Sequence, residues 1–138
     1  MKRVSLLASL FAALGCVALQ AQTTILSADI PFHFQVGNKE MPAGKYRVDY
    51  APSQGLLALH SVADNKTAYI LTFLSANGKA PETGGVLRFN RYGETCFLAS
   101  VWMAHSESGI EVTKTSREKE IAKRVSSEQA SVALNAGQ

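Results

Sequence analysis

The chain has very few cysteines, which excludes the class of small folds held together by disulfides. Only Cys16 and Cys96 occur among 138 residues, and Cys16 lies in an apolar N-terminal stretch that we expect to be removed. One remaining cysteine cannot form an internal disulfide, so Cys96 is either a small buried apolar residue or a route to an intermolecular bridge. We therefore expect a hydrophobic core to stabilise the fold.

The chain also lacks an excess of charge of one sign. Its 14 Lys and Arg residues face 11 Asp and Glu residues. Lys2 and Arg3 precede the apolar stretch, so 12 basic residues remain against the 11 acidic ones in residues 22–138. A chain so close to neutral has no basic field for nucleic acid. No later apolar run approaches the about 20 residues of a membrane-spanning helix. We predict neither a nucleic-acid partner nor a transmembrane segment in residues 22–138.

Recognised catalytic and metal-binding motifs are missing as well. None of His33, His60 and His105 has a second ligand at a metal-binding spacing. There is no Gly-x-Ser-x-Gly elbow, and Thr83-Gly84-Gly85 precedes a strand pattern rather than a helix, unlike a phosphate-binding loop. The sequence thus predicts no catalytic residue, no metal and no cofactor, and it favours a non-catalytic protein.

The start of the chain has the pattern of a secretory signal peptide. Met1-Lys2-Arg3 is basic, the next 16 residues are apolar and uncharged, and Ala21 offers a small residue at a cleavage point. We predict a signal peptide over residues 1–21 and an exported protein, periplasmic or extracellular. The residues before Cys16 loosely match a lipoprotein signal, so lipidation of Cys16 is an alternative that would make the protein lipid-anchored.

Residues 22–127 have the pattern of one β domain. Short apolar-polar alternations are separated by turns rich in Gly, Pro and Asn. Seven such strands and one late helix predict a mainly β fold, a single antiparallel β-sandwich or partly open barrel with one C-terminal helix. Residues 67–74 are apolar on both faces, which predicts a central strand buried on both sides.

Residues 86–103 contain the only Trp and the densest apolar pattern of the domain. We predict a β-hairpin with the three-residue loop Arg91-Tyr92-Gly93, because Gly tolerates the left-handed backbone required at the last loop position. This register gives two faces. One is apolar and faces the core, and the other, the mixed face, carries both polar and apolar residues. The core face carries Leu87, Phe89, Phe97, Ala99, Val101 and Met103.

The C-terminal part contains a helix signal followed by a polar tail. Thr115-Ser-Arg-Glu118 is a capping box, and it predicts a helix from there to about Ser127. The apolar stripe of this helix is too narrow for a free-standing helix, so we expect it to dock on the mixed hairpin face with Val86, Leu98 and Trp102. Residues 128–138 are small and polar and predict a disordered tail.

The mixed face of the hairpin is the candidate binding surface. Arg, Tyr and Trp are the side chains that most often anchor interfaces. Alternatively, Trp102 and Leu98 lie under the helix and Arg88 is an ordinary exposed strand residue. The candidate residues for a ligand or partner are Arg88, Asn90, Arg91, Tyr92, Ser100 and Trp102.

Five short motifs are specific enough to suggest a relationship. They are Pro31-Phe-His-Phe-Gln-Val-Gly37, Met41-Pro-Ala-Gly-Lys-Tyr-Arg-Val48, Asn90-Arg-Tyr-Gly93, Val101-Trp102 and Ser116-Arg-Glu-Lys-Glu120. In these motifs the chain resembles an uncharacterised family of short exported β-rich proteins from soil bacteria of the Acidobacteria type. The resemblance covers most of residues 28–124. It implies an exported bacterial protein, but no activity and no site residue.

Three functional hypotheses follow from the sequence. The first is a non-catalytic exported module that binds an unknown protein or small ligand, or has a structural role at the cell envelope. The second is a carrier whose barrel holds a small apolar ligand among Tyr46, Tyr69, Phe73 and Phe89. The third is a small enzyme with a dispersed site. The missing catalytic motifs place the enzyme last.

Overall fold

The computed structural model describes residues 24–75 and 84–136, within which the chain forms ten β-strands and one α-helix. A short 3-10 helix, Pro52–Gln54, lies between the fourth and fifth strands. The elements are β1 Thr24–Ile30, β2 Phe34–Val36, β3 Lys39–Met41, β4 Gly44–Ala51, β5 Leu56–Ser61, β6 Thr67–Ser75, β7 Gly85–Tyr92, β8 Thr95–Trp102, β9 Gly109–Val112, α1 Ser116–Ala122 and β10 Glu128–Ala136.

Eight of these strands form a closed antiparallel barrel. Around the ring the order is β8, β7, β10, β1, β4, β5, β6 and β9, and pairing of β9 with β8 closes it. Strand β2 pairs in parallel with β8, and β3 pairs with β2. The prediction of a mainly β antiparallel domain with one helix is confirmed. Of the two architectures left open, the structure has the barrel, and this barrel is closed.

The last strand, β10, completes the barrel. It pairs with β7 over seven residues, from Glu128 opposite Arg91 to Leu134 opposite Gly85, and it meets β1 at Leu26 and Ser27. The prediction of a disordered tail is therefore wrong for residues 128–136; residues 137 and 138 lie outside the described part. Although this segment is mostly small and polar, it forms a half-buried strand whose Val132 and Leu134 face the core. Its pairing satisfies backbone groups that β7 and β1 would otherwise leave open.

Aromatic side chains fill the interior of the barrel. Phe34 lies edge-to-face against Tyr46 on β4 and Phe89 on β7, with ring centroids 5.2 and 5.4 Å apart, and Phe32 packs on Phe89 at 5.0 Å. Strands β4 and β7 are separated by two others in the ring, so Phe34 reaches across the interior. Edge-to-face contacts add to the stabilisation from burial.

The hairpin β7–β8 differs from the predicted register. Tyr92 pairs with Thr95, so the loop has two residues, and Gly93 takes a left-handed φ of 64°. A tight two-residue turn of this kind favours Gly at its first central position. The predicted loop Arg91-Tyr92-Gly93 is therefore wrong, because Arg91 and Tyr92 belong to β7.

A β-bulge in β8 changes which residues of the predicted core face point into the core. Arg88 pairs with Ser100 and Phe89 with Leu98, so Ala99 is the extra residue. Before the bulge, Cys96 and Leu98 face the core, whereas Phe97 stacks edge-on against Tyr92 at 5.9 Å. After it, Val101 faces the core as predicted. A bulge inserts one unpaired residue and shifts the alternation of sides, which simple periodicity does not anticipate.

Over residues 67–72, strand β6 is buried on one side only. Ala68 and Ile70 belong to the core, whereas Tyr69 and Leu71 are 67% and 73% exposed. The prediction of a strand buried on both sides is therefore wrong. The outer face of an antiparallel barrel can be open to solvent, so apolar residues on both faces do not require coverage on both.

We expect Leu134→Ala to destabilise the protein by about 2–4 kcal/mol, since this leucine is 3% exposed and its truncation leaves a cavity in the core. Urea denaturation followed by circular dichroism measures the change. Ser131→Ala, on the outer side of the same strand, is the matched control and should stay within about 0.5 kcal/mol of the wild type. Equal stability of Leu134→Ala and the control would contradict the role of β10 in closing the barrel.

Candidate functional site

The hairpin and the strands beside it form a groove of about 540 Å³ on the outside of the barrel. Its floor comes from β7 and β8, one wall from β9 and the two residues that follow it, and the other wall from β10. This volume lies within the range of small-molecule sites, about 300–1,000 Å³. The lining residues are Arg88, Asn90, Ala99, Ser100, Trp102, Glu111, Val112, Thr113, Lys114 and Gln129.

On the groove floor, Trp102 contacts both Arg88 and Ser100. The guanidinium carbon of Arg88 lies 4.9 Å from the centroid of the Trp102 ring, a cation–π contact. The Trp102 Nε1–H donates to Ser100 Oγ at 3.1 Å. Trp102 itself is only 4% exposed. It therefore holds Arg88 in place rather than offering its own ring to a ligand.

The Trp102 ring packs closely against Gly109. A Cβ added at residue 109 would lie 2.4 Å from Trp102 ring carbons, so any other residue there forces the ring to move. Gly109 and Trp102 come together because β9 pairs with β8 at the adjacent residues Val101 and Ile110. The last pairing of the barrel thus fixes the indole and, through it, the guanidinium of Arg88.

Helix α1 is anchored beside the groove by a buried carboxylate. Glu118 is 3% exposed and accepts hydrogen bonds from Asn90 Nδ2 at 3.0 Å and from Tyr92 Oη at 3.1 Å. Thr115 is the N-cap, as predicted, and its hydroxyl accepts from the Glu118 backbone N–H at 3.2 Å. The carboxylate needs these donors, because a buried charge without partners is costly.

The predicted docking of the helix on Leu98 and Trp102 is wrong. Leu98 belongs to the barrel core, and Trp102 lies between Gly109 and Arg88. The helix ends at Ala122, earlier than Ser127. With only seven residues it has no long apolar stripe, and its one buried side chain is Glu118. A polar contact thus replaces the apolar contact that the sequence suggested.

The structure brings four of the six candidate residues together in the groove and places two elsewhere. Arg88, Asn90, Ser100 and Trp102 line it. Arg91 is exposed, and its Nε donates to the Gly93 carbonyl at 2.9 Å. Tyr92 is buried against Glu118. Cys16, the possible lipidation site, lies outside the described residues.

Sequence reasoning missed four polar groups of the groove: Glu111, Thr113, Lys114 and Gln129. Glu111 lies on β9, Thr113 and Lys114 just beyond it and Gln129 on β10. These residues reach the groove only through pairing of strands that are distant in the sequence. The local sequence pattern therefore could not predict that they line it. The outward alternation of Gln129 and Ser131 around Ala130 was a weak signal for β10, hidden by the polar composition.

Two reactive side chains outside the groove, Cys96 and His60, have ordinary structural surroundings. Cys96 is buried, and burial raises the pKa of its thiol although Arg91 opposes the shift, which makes it a poor nucleophile. His60 joins a polar row on the outer barrel face, with Nε2 3.1 Å from Asp49 Oδ2 and Nδ1 2.9 Å from Thr67 Oγ1. Such cross-strand polar pairs are ordinary features of an exposed sheet face.

Two absences hold for the part of the chain that the structure describes. Within residues 24–75 and 84–136, no group of three or more His, Cys, Asp or Glu side chains is arranged to hold a metal ion. No helix in these ranges is long and apolar enough to cross a membrane. No protein-family model, curated protein or solved structure matches the chain.

Ionisation of Tyr92 should destabilise the fold at alkaline pH. Burial, and then the charge of Glu118, raise its pKa above the ordinary value of 10.0, so the folded state holds the phenol proton more tightly than the unfolded state. Stability is then complete below pH 10 and falls as the pH rises from 10.0 towards the folded-state pKa. We expect Tyr92→Phe to lose less stability than the wild type between pH 9 and 11, as measured by urea denaturation at each pH.

Tyr46 and Cys96, whose pKa values are also raised by burial, stay in both proteins and contribute to the remaining alkaline loss. Tyr50→Phe is the matched control, because it removes a partly buried tyrosine that has no part in the Glu118 contact. Parallel pH curves for wild type and Tyr92→Phe would show that Tyr92 does not titrate differently in the folded protein.

Proposed function

We propose that the protein is an exported, non-catalytic binding module, and that its groove takes a small polar ligand carrying a carboxylate, such as an acidic sugar. The observation that carries the proposal is the stacking of Arg88 on the buried Trp102 ring. A guanidinium held in one orientation loses less freedom when it binds a planar carboxylate, and its paired N–H donors match the two carboxylate oxygens.

The other groups of the groove suit a ligand rich in hydroxyls. Ser100, Thr113 and Gln129 offer hydroxyl and amide groups that both donate and accept, and Glu111 accepts from a hydroxyl. Lys114 adds a second positive charge to that of Arg88. A ligand with several hydroxyls and one negative charge therefore fits better than a purely apolar one.

The barrel interior favours this reading over the carrier hypothesis. Of the four aromatic residues expected to line a ligand cavity, Tyr46 and Phe89 are fully buried and packed on Phe34. Tyr69 faces outwards, and the side chain of Phe73 lies outside the described residues. An apolar ligand in the interior would have to displace these ring contacts.

The groove is tested with a pair of sugars that differ only in the carboxylate. The chain has a single Trp, so the indole N–H of Trp102 gives one NMR signal that reports on the groove floor. We expect titration with glucuronate, but not with glucose, to shift this signal. Equal shifts for both sugars would contradict recognition of the carboxylate, and no shift for either would contradict the groove as a binding site.

Substitution of Arg88 tests the assigned contact directly. We expect Arg88→Gln to weaken glucuronate binding about tenfold to a hundredfold, the usual loss for a hydrogen bond to a charged group. Arg88→Lys should recover little, because an ammonium lacks the paired donors. Arg47→Gln removes an exposed arginine from another part of the barrel and is the control that should bind like the wild type. Unchanged binding by Arg88→Gln would overturn the assignment.

The proposal of export rests on the basic start, the apolar stretch and Ala21. We expect the intact mass of the protein recovered from the periplasm or medium of its host to correspond to a chain that begins at Gln22. A lipid mass on a chain beginning at Cys16 would replace this with a membrane-anchored protein. Recovery of the uncut chain from the cytoplasm alone would contradict export.

A further inference from the structure

The outer face of β5 and β6 carries an apolar patch that the fold leaves open. Tyr69 and Leu71 alternate outwards on β6 and are 67% and 73% exposed, and Val62, just beyond β5, is 65% exposed. Tyr69 lies opposite Ala58 and Leu71 opposite Leu56, so the patch spans both strands. We call Leu56, Val62, Tyr69 and Leu71 the β5–β6 patch. Large apolar side chains grouped on a surface commonly mark a binding site for another protein.

The barrel geometry decides how a partner can approach the patch. Strand β5 pairs on its two sides with β4 and β6, and β6 pairs with β5 and β9. Neither strand has a free edge, so an added peptide strand has no backbone groups to bind here. Contact with the patch must therefore be made face to face, through side chains.

Charged side chains of both signs border the patch. Arg47 and Asp49 on β4 form a pair at 3.2 Å, and Lys66 and Asp64 in the β5–β6 turn approach to 3.8 Å. His60 lies between these groups and the patch, with its ring 6.3 Å from that of Tyr69. Nucleic acids and anionic membranes require a surface of one dominant sign, which this border does not supply.

We propose that the β5–β6 patch is the interface through which a second copy of this chain binds. In a twofold dimer the same surface meets itself, so it must be complementary to itself. Adjacent opposite charges satisfy this condition, because Arg47 of each copy can face an acidic side chain of the other. Tyr69 and Leu71 would form the apolar centre, and a large aromatic side chain at the centre of a contact is a common anchor.

The size of the patch sets the expected strength. Stable interfaces bury about 800 Å² on each partner, whereas this patch covers only the outer side of two strands. The dimer should therefore depend on concentration rather than be obligatory. This association does not use the groove residues Arg88 and Trp102, because these lie on β7 and β8, whereas the patch lies on β5 and β6.

Sedimentation equilibrium over about 1 μM to 1 mM tests the proposal, since this range brackets weak association. We expect the mass of the wild type to rise from that of one chain to that of two. Leu71→Ser should weaken the association at least tenfold. Val125→Ser is the matched control, because Val125 is an exposed apolar residue, 45% exposed, outside the patch. A wild type that remains a monomer throughout, or a Leu71→Ser variant that associates like the control, would overturn the proposal.

The charged border gives a second test that does not depend on the apolar residues. Arg47→Asp alone places three acidic groups at the border and should weaken the dimer, whereas the double variant Arg47→Asp with Asp49→Arg restores one charge of each sign and should recover it. Circular dichroism confirms that each variant remains folded. Equal association of the single variant and the wild type would exclude the self-complementary border.

Discussion

Closure of the barrel by β10 is the constraint on which the rest of the structure depends. This strand joins β7 to β1, the two strands that would otherwise leave open edges. It adds Val132 and Leu134 to the core and places Gln129 at the rim of the groove. The contact with β1 involves only two residue pairs, so the hydrophobic core has to complement the sparse backbone pairing at this seam. A strand of small, polar composition is thus essential because of where it lies.

The groove depends on a second closure, at β8 and β9. Only two residue pairs join these strands, yet they bring Gly109 under the Trp102 ring. The absence of a side chain at residue 109 leaves room for the ring, and the Arg88 guanidinium lies over the same ring at 4.9 Å. The preorganised guanidinium is therefore a consequence of barrel closure. A change in this seam would move the indole and the cation together.

Local periodicity predicts the fold class and part of the site, but not the long-range pairings. The alternation of Leu87 and Phe89 identified residues that do face the core. Arg88, Asn90, Ser100 and Trp102 were grouped correctly because they share one face of one hairpin. The bulge at Ala99 and the strand β10 were missed, since each is decided by a partner strand rather than by its own sequence. Tyr69 and Leu71 led to the wrong prediction of a strand buried on both sides, because a pattern of apolar residues does not reveal whether the outer face is covered.

Glu118 explains how helix α1 is held against the barrel beside the groove. Its carboxylate uses the Asn90 amide and the Tyr92 hydroxyl as donors, so these two groups hold α1 in place and Tyr92 is withdrawn from any ligand. The groove beyond Asn90 keeps Arg88, Ser100 and Lys114 along its length. On the other side of β9 lies the exposed patch of β6. Because β9 forms one wall of the groove and pairs with β6, the two surfaces adjoin along this strand pair.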